Sequence, residues 1–185
     1  MVRTPHTDEV LLSARDGDRA ALRVLYERLA PAVLGYLTAR GVANPELVTS
    51  DIFVNAFKRL DAITGGTARL CTVVFSAAFE RVVDESRPGP AHRALVACRP
   101  DVRASSAAAA RAARQVDTAR VVALVNRLAP GQRDVLLLRV VAGLTITQAA
   151  EITQRSRVAV KQLQHRGRVA LRTLLVLDAE RADER

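Results

Sequence analysis

Aromatic side chains make up only 3% of this 185-residue chain, and tryptophan is missing altogether. A core without large rings has to be built from Leu, Val, Ile and Ala. Since Ala and Leu lose little on entering a helix, the scarcity already favours helices. Cysteine is almost as rare. Cys71 and Cys98 stand far apart, without a CxxC or His-bearing spacing, so they signal neither a disulfide framework nor a metal site and are expected to be buried thiols. No apolar run approaches membrane-spanning length and the first residues lack the apolar core of a signal peptide, so no membrane association is expected and a reducing cytoplasm is the expected compartment. Lysine occurs only as Lys58 and Lys161 among the 28 basic residues. With abundant Ala, this bias points to GC-rich coding rather than to a structural demand.

The usual marks of an enzyme are missing too. His6, His92 and His165 are scattered, no Gly-rich phosphate loop follows a strand, and no carboxylate pair shares an expected pocket. Catalysis is not expected, and neither is a metal or a cofactor. Glu80, Asp84 and Glu85 share one expected helix, where a solvated or partner-facing surface suits them better than acid–base chemistry.

What is present is positive charge in one half. Residues 1–90 carry eleven Arg plus Lys and eleven Asp plus Glu, whereas residues 91–185 carry seventeen against eight, so the whole net charge of +9 lies in the second half. A polyanionic partner would meet that half.

With 49% hydrophobic residues the chain can bury ordinary cores, as one large domain or two small ones. The apolar pattern from Asp8 to Leu29 predicts two helices broken at Gly17, with Asp18 capping the second. Pro31 is expected to open a further helix running to Arg40, with Gly41 ending it. Asn44-Pro45 starts another, carrying Val48, Ile52, Phe53, Ala56, Phe57 and Leu60. Leu70 to Ser86 admits a strand reading from its β-branched residues, but its apolar stripe at Leu70, Val74, Ala77, Ala78 and Val82 predicts helix. Arg87-Pro88-Gly89-Pro90 then stops it and marks a boundary. The expected fold is all-α: a helical domain over 1–87, a linker over 88–115, a second helical domain over 116–178 and a charged, frayed tail over 179–185. Within the second domain, Pro130 opens a helix expected to bury Val135, Leu136, Leu138, Val140 and Val141 before Gly143 closes it.

The sharpest signal lies between Thr145 and Arg172. Thr145 and Gln148 stand at capping-box spacing ahead of a short helix with Ile146, Ala149, Ala150 and Ile152 on its packing side. After a polar turn, Ser156 is placed to cap a second helix. At about 100° per residue, Arg157, Lys161, His165, Arg168 and Arg172 fall within an arc of roughly 80°. Val160, Leu163, Gly167, Ala170, Leu171 and Leu174 cluster roughly 130° away. One face docks and the other is offered outward. A lone basic stripe is more often a solvated face. Here it follows a short helix and tight turn, and Arg155 to Arg172 holds six Arg or Lys and no acid, which favours a DNA-binding helix-turn-helix.

The run from Leu128 to Arg172 resembles region four of bacterial extracytoplasmic-function sigma factors, which direct RNA polymerase to promoters. Leu128 and Pro130, Gly143-Leu144-Thr145, Ala150-Glu151-Ile152, Ser156, Val160-Lys161 and His165-Arg166 match that pattern in order. The first half is similar to region two, through Gly17-Asp18, Ala21, Leu25-Tyr26, Ala30-Pro31, Val48-Thr49, Phe53, Ala56 and Phe57. The resemblance implies a factor that binds core RNA polymerase and promoter DNA, with an anti-sigma factor as a further candidate partner. The upstream (-35) promoter element would be read by Arg155, Arg157, Lys161, Gln162, His165, Arg168 and Arg172. Glu46, Val48, Thr49, Ser50, Phe53 and Phe57 would grip the polymerase. The resemblance has departures in both halves: in the helix pair the family's turn Gly is Gln154 and its small residues at the start of the recognition helix are Arg157 and Val158, while in the first half the Trp position is Val73 and the positions that handle the melted strand are Ser76, Phe79 and Glu80. Those of the first half motivate an alternative, a sigma-derived regulator or interaction module that binds polymerase or DNA without melting promoters. An ordinary repressor, a third reading, would bind its operator tightly without polymerase.

Overall fold

A computed structural model describes residues 5–86 and 121–183, and every regular element among them is helical. In the first half these are α1 (Pro5–Arg15), α2 (Arg19–Ala39), α3 (Pro45–Lys58) and α4 (Thr67–Ser86), with a single 3-10 turn at Leu60–Ala62. The second half holds α5, helical over 121–126, α6 (Pro130–Leu136), α7 (Ile146–Ile152) and α8 (Arg157–Asp183). The linker expected over 88–115, with Cys98 and His92, lies outside the described residues.

Local chemistry sets most of the boundaries. Gly17 takes φ +87°, and the Asp18 carboxylate then accepts from the Ala20 N–H at 2.8 Å to open α2. The start of α4 is fixed from a distance: the Asp8 carboxylate accepts from both the Thr67 N–H and its hydroxyl, each at 2.8 Å. Arg15 donates to the carbonyls of Ile63 and Gly65, so α1 holds the loop before α4 at both ends. The stretch from Leu70 is helical, and Leu70, Val74, Phe75, Ala78 and Val82 are its buried stripe.

Three expectations are corrected. Pro31 does not open a helix; it sits inside α2, which runs unbroken from Arg19 to Ala39. Proline there removes one backbone donor, but Pro31 and Glu27 are both exposed, so water can serve the freed carbonyl. Leu25, Leu29, Val33, Tyr36 and Leu37 meanwhile bury one continuous face on both sides of it. The tail expected from residue 179 is not separate as far as Asp183, because α8 continues through strong helix formers with no Pro or Gly to stop it. Val140 and Val141 are exposed rather than buried, Val140 by 65%. After Leu136 the helix widens to a π turn over Leu137–Val141, with the Ala142 N–H reaching the Leu137 carbonyl at 3.0 Å. Wider winding carries the two valines off the stripe.

The halves share one hydrophobic cluster and meet along two seams. At one, α2 lies against α6 and the π turn: Arg40 pairs with Asp134 at 3.2 Å, with side chains only 7% and 16% exposed. Tyr36 is buried beside them. Burial pushes the Asp134 carboxyl above its ordinary value even though Arg40, Arg133 and Arg155 pull it down. At the other, α4 meets α7. Gln148 Nε2 donates to the Ala68 carbonyl at 2.9 Å and lies 3.3 Å from the Thr72 hydroxyl, and Arg69 pairs with Glu151.

Two buried acids make stability sensitive to alkali. Desolvation raises the Cys71 thiol from 9.0 to about 11 and also raises the Tyr36 phenol. Both groups resist ionisation when folded, so stability is full below pH 9 and falls as the pH rises through the thiol's folded value of about 11. The thiol contributes a slope of roughly 1.4 kcal/mol per pH unit. Chemical denaturation between pH 8 and pH 11 should show this loss, and Cys71→Ala should flatten it.

Candidate nucleic-acid interface

The helix pair is built by its own caps. The Thr145 hydroxyl accepts from the Gln148 N–H at 3.2 Å while Gln148 Oε1 accepts from the Thr145 N–H at 2.9 Å. This closes the capping box and starts α7. Its end is a tight reversal at Gln154, whose φ of +52° lies in the left-handed region usually left to glycine. The Arg155 N–H returns to the Ala150 carbonyl at 3.0 Å, and the Ser156 hydroxyl accepts from the Ala159 N–H at 3.1 Å to open α8.

Packing then orients α8. Val160, Gln164 and Gly167 are buried, and Leu163, Ala170, Leu171 and Leu174 are half-buried against the core. Gly167 permits the approach to α6: a Cβ there would stand 2.9 Å from Leu136 Cδ1. Gln164, polar and buried, lies 3.4 Å from Arg139 Nε. With this face fixed inward, Arg157, Lys161, Gln162, His165, Arg168 and Arg172 are all exposed. The stripe expected from 100° spacing is therefore present as one solvent-facing array. Arg155 is exposed as well but leans back toward α6, with a guanidinium nitrogen 3.6 Å from where a Gly131 side chain would begin. An array of cations on one helix, preceded by a shorter scaffold helix, is the arrangement that enters a major groove and neutralises flanking phosphates.

The residues expected to grip polymerase separate into two sets. Glu46 and Ser50 are exposed on α3 and Phe57 is half-buried. Val48, Thr49 and Phe53 face inward; Phe53 meets the Tyr26 ring edge-on at 5.0 Å, and the Thr49 hydroxyl donates to the Pro45 carbonyl at 2.7 Å. On the outer face the apolar residues are Leu47 and Val54, seven apart and exposed. That pair was legible in the sequence as an i, i+7 spacing, but the stronger motif at Val48-Thr49 drew attention to the inner face.

Comparison with known proteins gives the class first. Residues 118–171 match the family model for sigma-70, region 4, which spans α6, the helix-turn-helix and the stripe as far as Arg168. Over 178 residues the chain is 28% identical to the ECF RNA polymerase sigma factor SigD of Mycobacterium bovis and of Mycobacterium tuberculosis, covering 91% of this chain and 84% of the relative. Among solved structures, CnrH in complex with the cytosolic domain of CnrY superposes with a TM-score of 0.68 at 22% identity, covering 93% of this chain and 98% of CnrH. Over most of its length the chain is thus similar to extracytoplasmic-function sigma factors, and every regular element among its described residues is helical.

Proposed function

We propose that this chain is a sigma-type initiation factor whose first half binds core RNA polymerase and whose α8 reads the upstream (-35) element of a promoter. The observation that carries the reading is the single exposed array of Arg157, Lys161, His165, Arg168 and Arg172 on a helix-turn-helix whose opposite face is buried. Residues near the start of α8, Arg157, Lys161 and Gln162, are placed for base edges, while Arg168 and Arg172 set register through phosphates. The polymerase surface is the outer face of α3, with Glu46, Leu47, Ser50 and Val54, backed by the buried Val48, Thr49 and Phe53. A regulatory partner protein, an anti-sigma factor, fits the same reading, since CnrH was solved with the cytosolic domain of another protein. No catalytic step is assigned to this chain.

Co-purification with polymerase core, followed by run-off transcription from DNA selected by the complex, tests the proposal. Specific transcripts are expected. Failure to bind core would sink it, as would tight, selective DNA binding by the free chain alone, which would point to a repressor. Within a positive result, Arg172→Ala should flatten the dependence of log affinity on log salt by about one unit while leaving sequence preference intact. An unchanged slope would remove Arg172 from the phosphate contacts.

A second reading, a regulator that binds without melting promoters, is favoured by one feature. Ser76, Phe79 and Glu80 line a cleft of about 520 Å³ whose charged residues are Glu80, Asp84 and Glu151, with no cation among the lining. With Glu151 paired to Arg69, Glu80 and Asp84 leave this cleft without the cations that draw in a single strand. Transcription from a template already unpaired around the start site, but not from duplex, would select this reading.

A further inference from the structure

The exposed face of α8 carries one residue near its start that neither fold stability nor charge explains. Val158, the second residue of the helix, is 65% exposed. The buried face is occupied by Val160, Gln164 and Gly167, so Val158 supports no packing. A β-branched residue also lowers helix propensity there, so local stability does not ask for it either. At about 100° per residue it lies roughly 40° from Gln162 and 60° from Lys161 on the helix surface. It therefore sits between Lys161 and Gln162 in the polar array assigned to base edges, within the first turn, the part of a recognition helix that reaches deepest into the groove.

In the major groove, one base-pair feature is apolar: the C5 methyl of thymine, which is read by contact with an aliphatic side chain. We propose that Val158 is a specificity-determining residue that selects thymine at one position of the bound element by packing its γ-methyl groups on that C5 methyl. The inference rests on the reading that α8 enters the major groove, and the cations beside Val158 on the same face supply the attraction that brings DNA to it. The neighbouring Lys161 and Gln162 would then read adjacent base pairs by hydrogen bonds, leaving the thymine to shape and water exclusion.

The test uses the full chain with core polymerase and the DNA site it selects, with each thymine replaced in turn by deoxyuridine, which lacks only the methyl group. One thymine should be sensitive, its replacement weakening binding by about fourfold, the ratio that burial of one methyl group gives. Val158→Ser should lose that sensitivity at the same thymine and no other, and Val158→Thr, which keeps a γ-methyl, should retain it. If Val158→Ser shows the same deoxyuridine profile as the parent chain while Lys161→Ala still abolishes selective binding, the inference is overturned and the groove reading stands. If Lys161→Ala and Arg157→Ala leave binding unaltered, the groove reading falls and the inference falls with it.

Discussion

Asp134→Leu alone should open the seam between the two halves, at a cost to the closed arrangement of about 3–5 kcal/mol, because it strands the Arg40 guanidinium in a site where that side chain is 7% exposed. Arg40→Met combined with Asp134→Leu should close the seam again, to at least its original extent. Burial outweighs the attraction of three arginines at Asp134, as its raised carboxyl value shows, so the ion pair contributes little net stability, and an apolar pair of similar volume loses nothing by replacing it. Separation of the halves relieves a stranded Arg40 by returning it to water, so the single variant should report opening before unfolding. Energy transfer between labels on α2 and α8 reads the first, and thermal melting the second. A single variant as closed as the parent, or a double variant more open than the single, would contradict this account.

Gly167→Val should destabilise the helix-turn-helix by about 1–3 kcal/mol and reduce DNA affinity together with stability. A Cβ at this position meets Leu136 Cδ1 at 2.9 Å, Leu136 Cγ at 3.1 Å and Gln132 Cβ at 3.3 Å, so α8 must withdraw from α6 to admit any branch. Withdrawal tilts the whole array of cations relative to α7, because α8 moves as one rod. Leu136→Ala removes the opposing side chain, and on the Gly167→Val background it should recover part of the loss even though it is destabilising by itself. A double-mutant cycle measured by denaturant unfolding isolates that coupling. Additive effects would mean that the two positions do not press on each other.

The helix pair was readable because its determinants are local. Thr145, Gln148 and Ser156 satisfy backbone donors within three residues, and the stripe on α8 follows from helical spacing alone. Pro31 misled because proline reads as a helix start when its neighbours are seen only along the chain. The buried face of α2 on both sides of it is what overrules that signal. The π turn over Leu137–Val141 was illegible because a 3.6-residue period does not anticipate its wider winding, and so placed Val140 and Val141 inside when both are exposed. For the candidate site, helical spacing was enough to place Arg157, Lys161, His165, Arg168 and Arg172 together on the exposed face of α8. On α3 the spacing did not separate exposed from buried positions: Glu46 and Ser50 face solvent, whereas Val48, Thr49 and Phe53 belong to the core. The seam had no signature at all, because Tyr36, Arg40 and Asp134 come together across nearly a hundred residues through burial rather than pattern.

Gln148 divides its side-chain amide between two tasks. The oxygen serves Thr145 and so belongs to the helix-turn-helix, whereas the nitrogen serves Ala68 and Thr72 of the first half. At Gln148, pulling the halves apart therefore breaks only the bonds of the nitrogen, which water replaces, and leaves the cap of α7 whole. The helix pair can therefore part from the first half without rebuilding its own caps, so separation costs the two seams and the apolar surface they cover but not the helix-turn-helix itself.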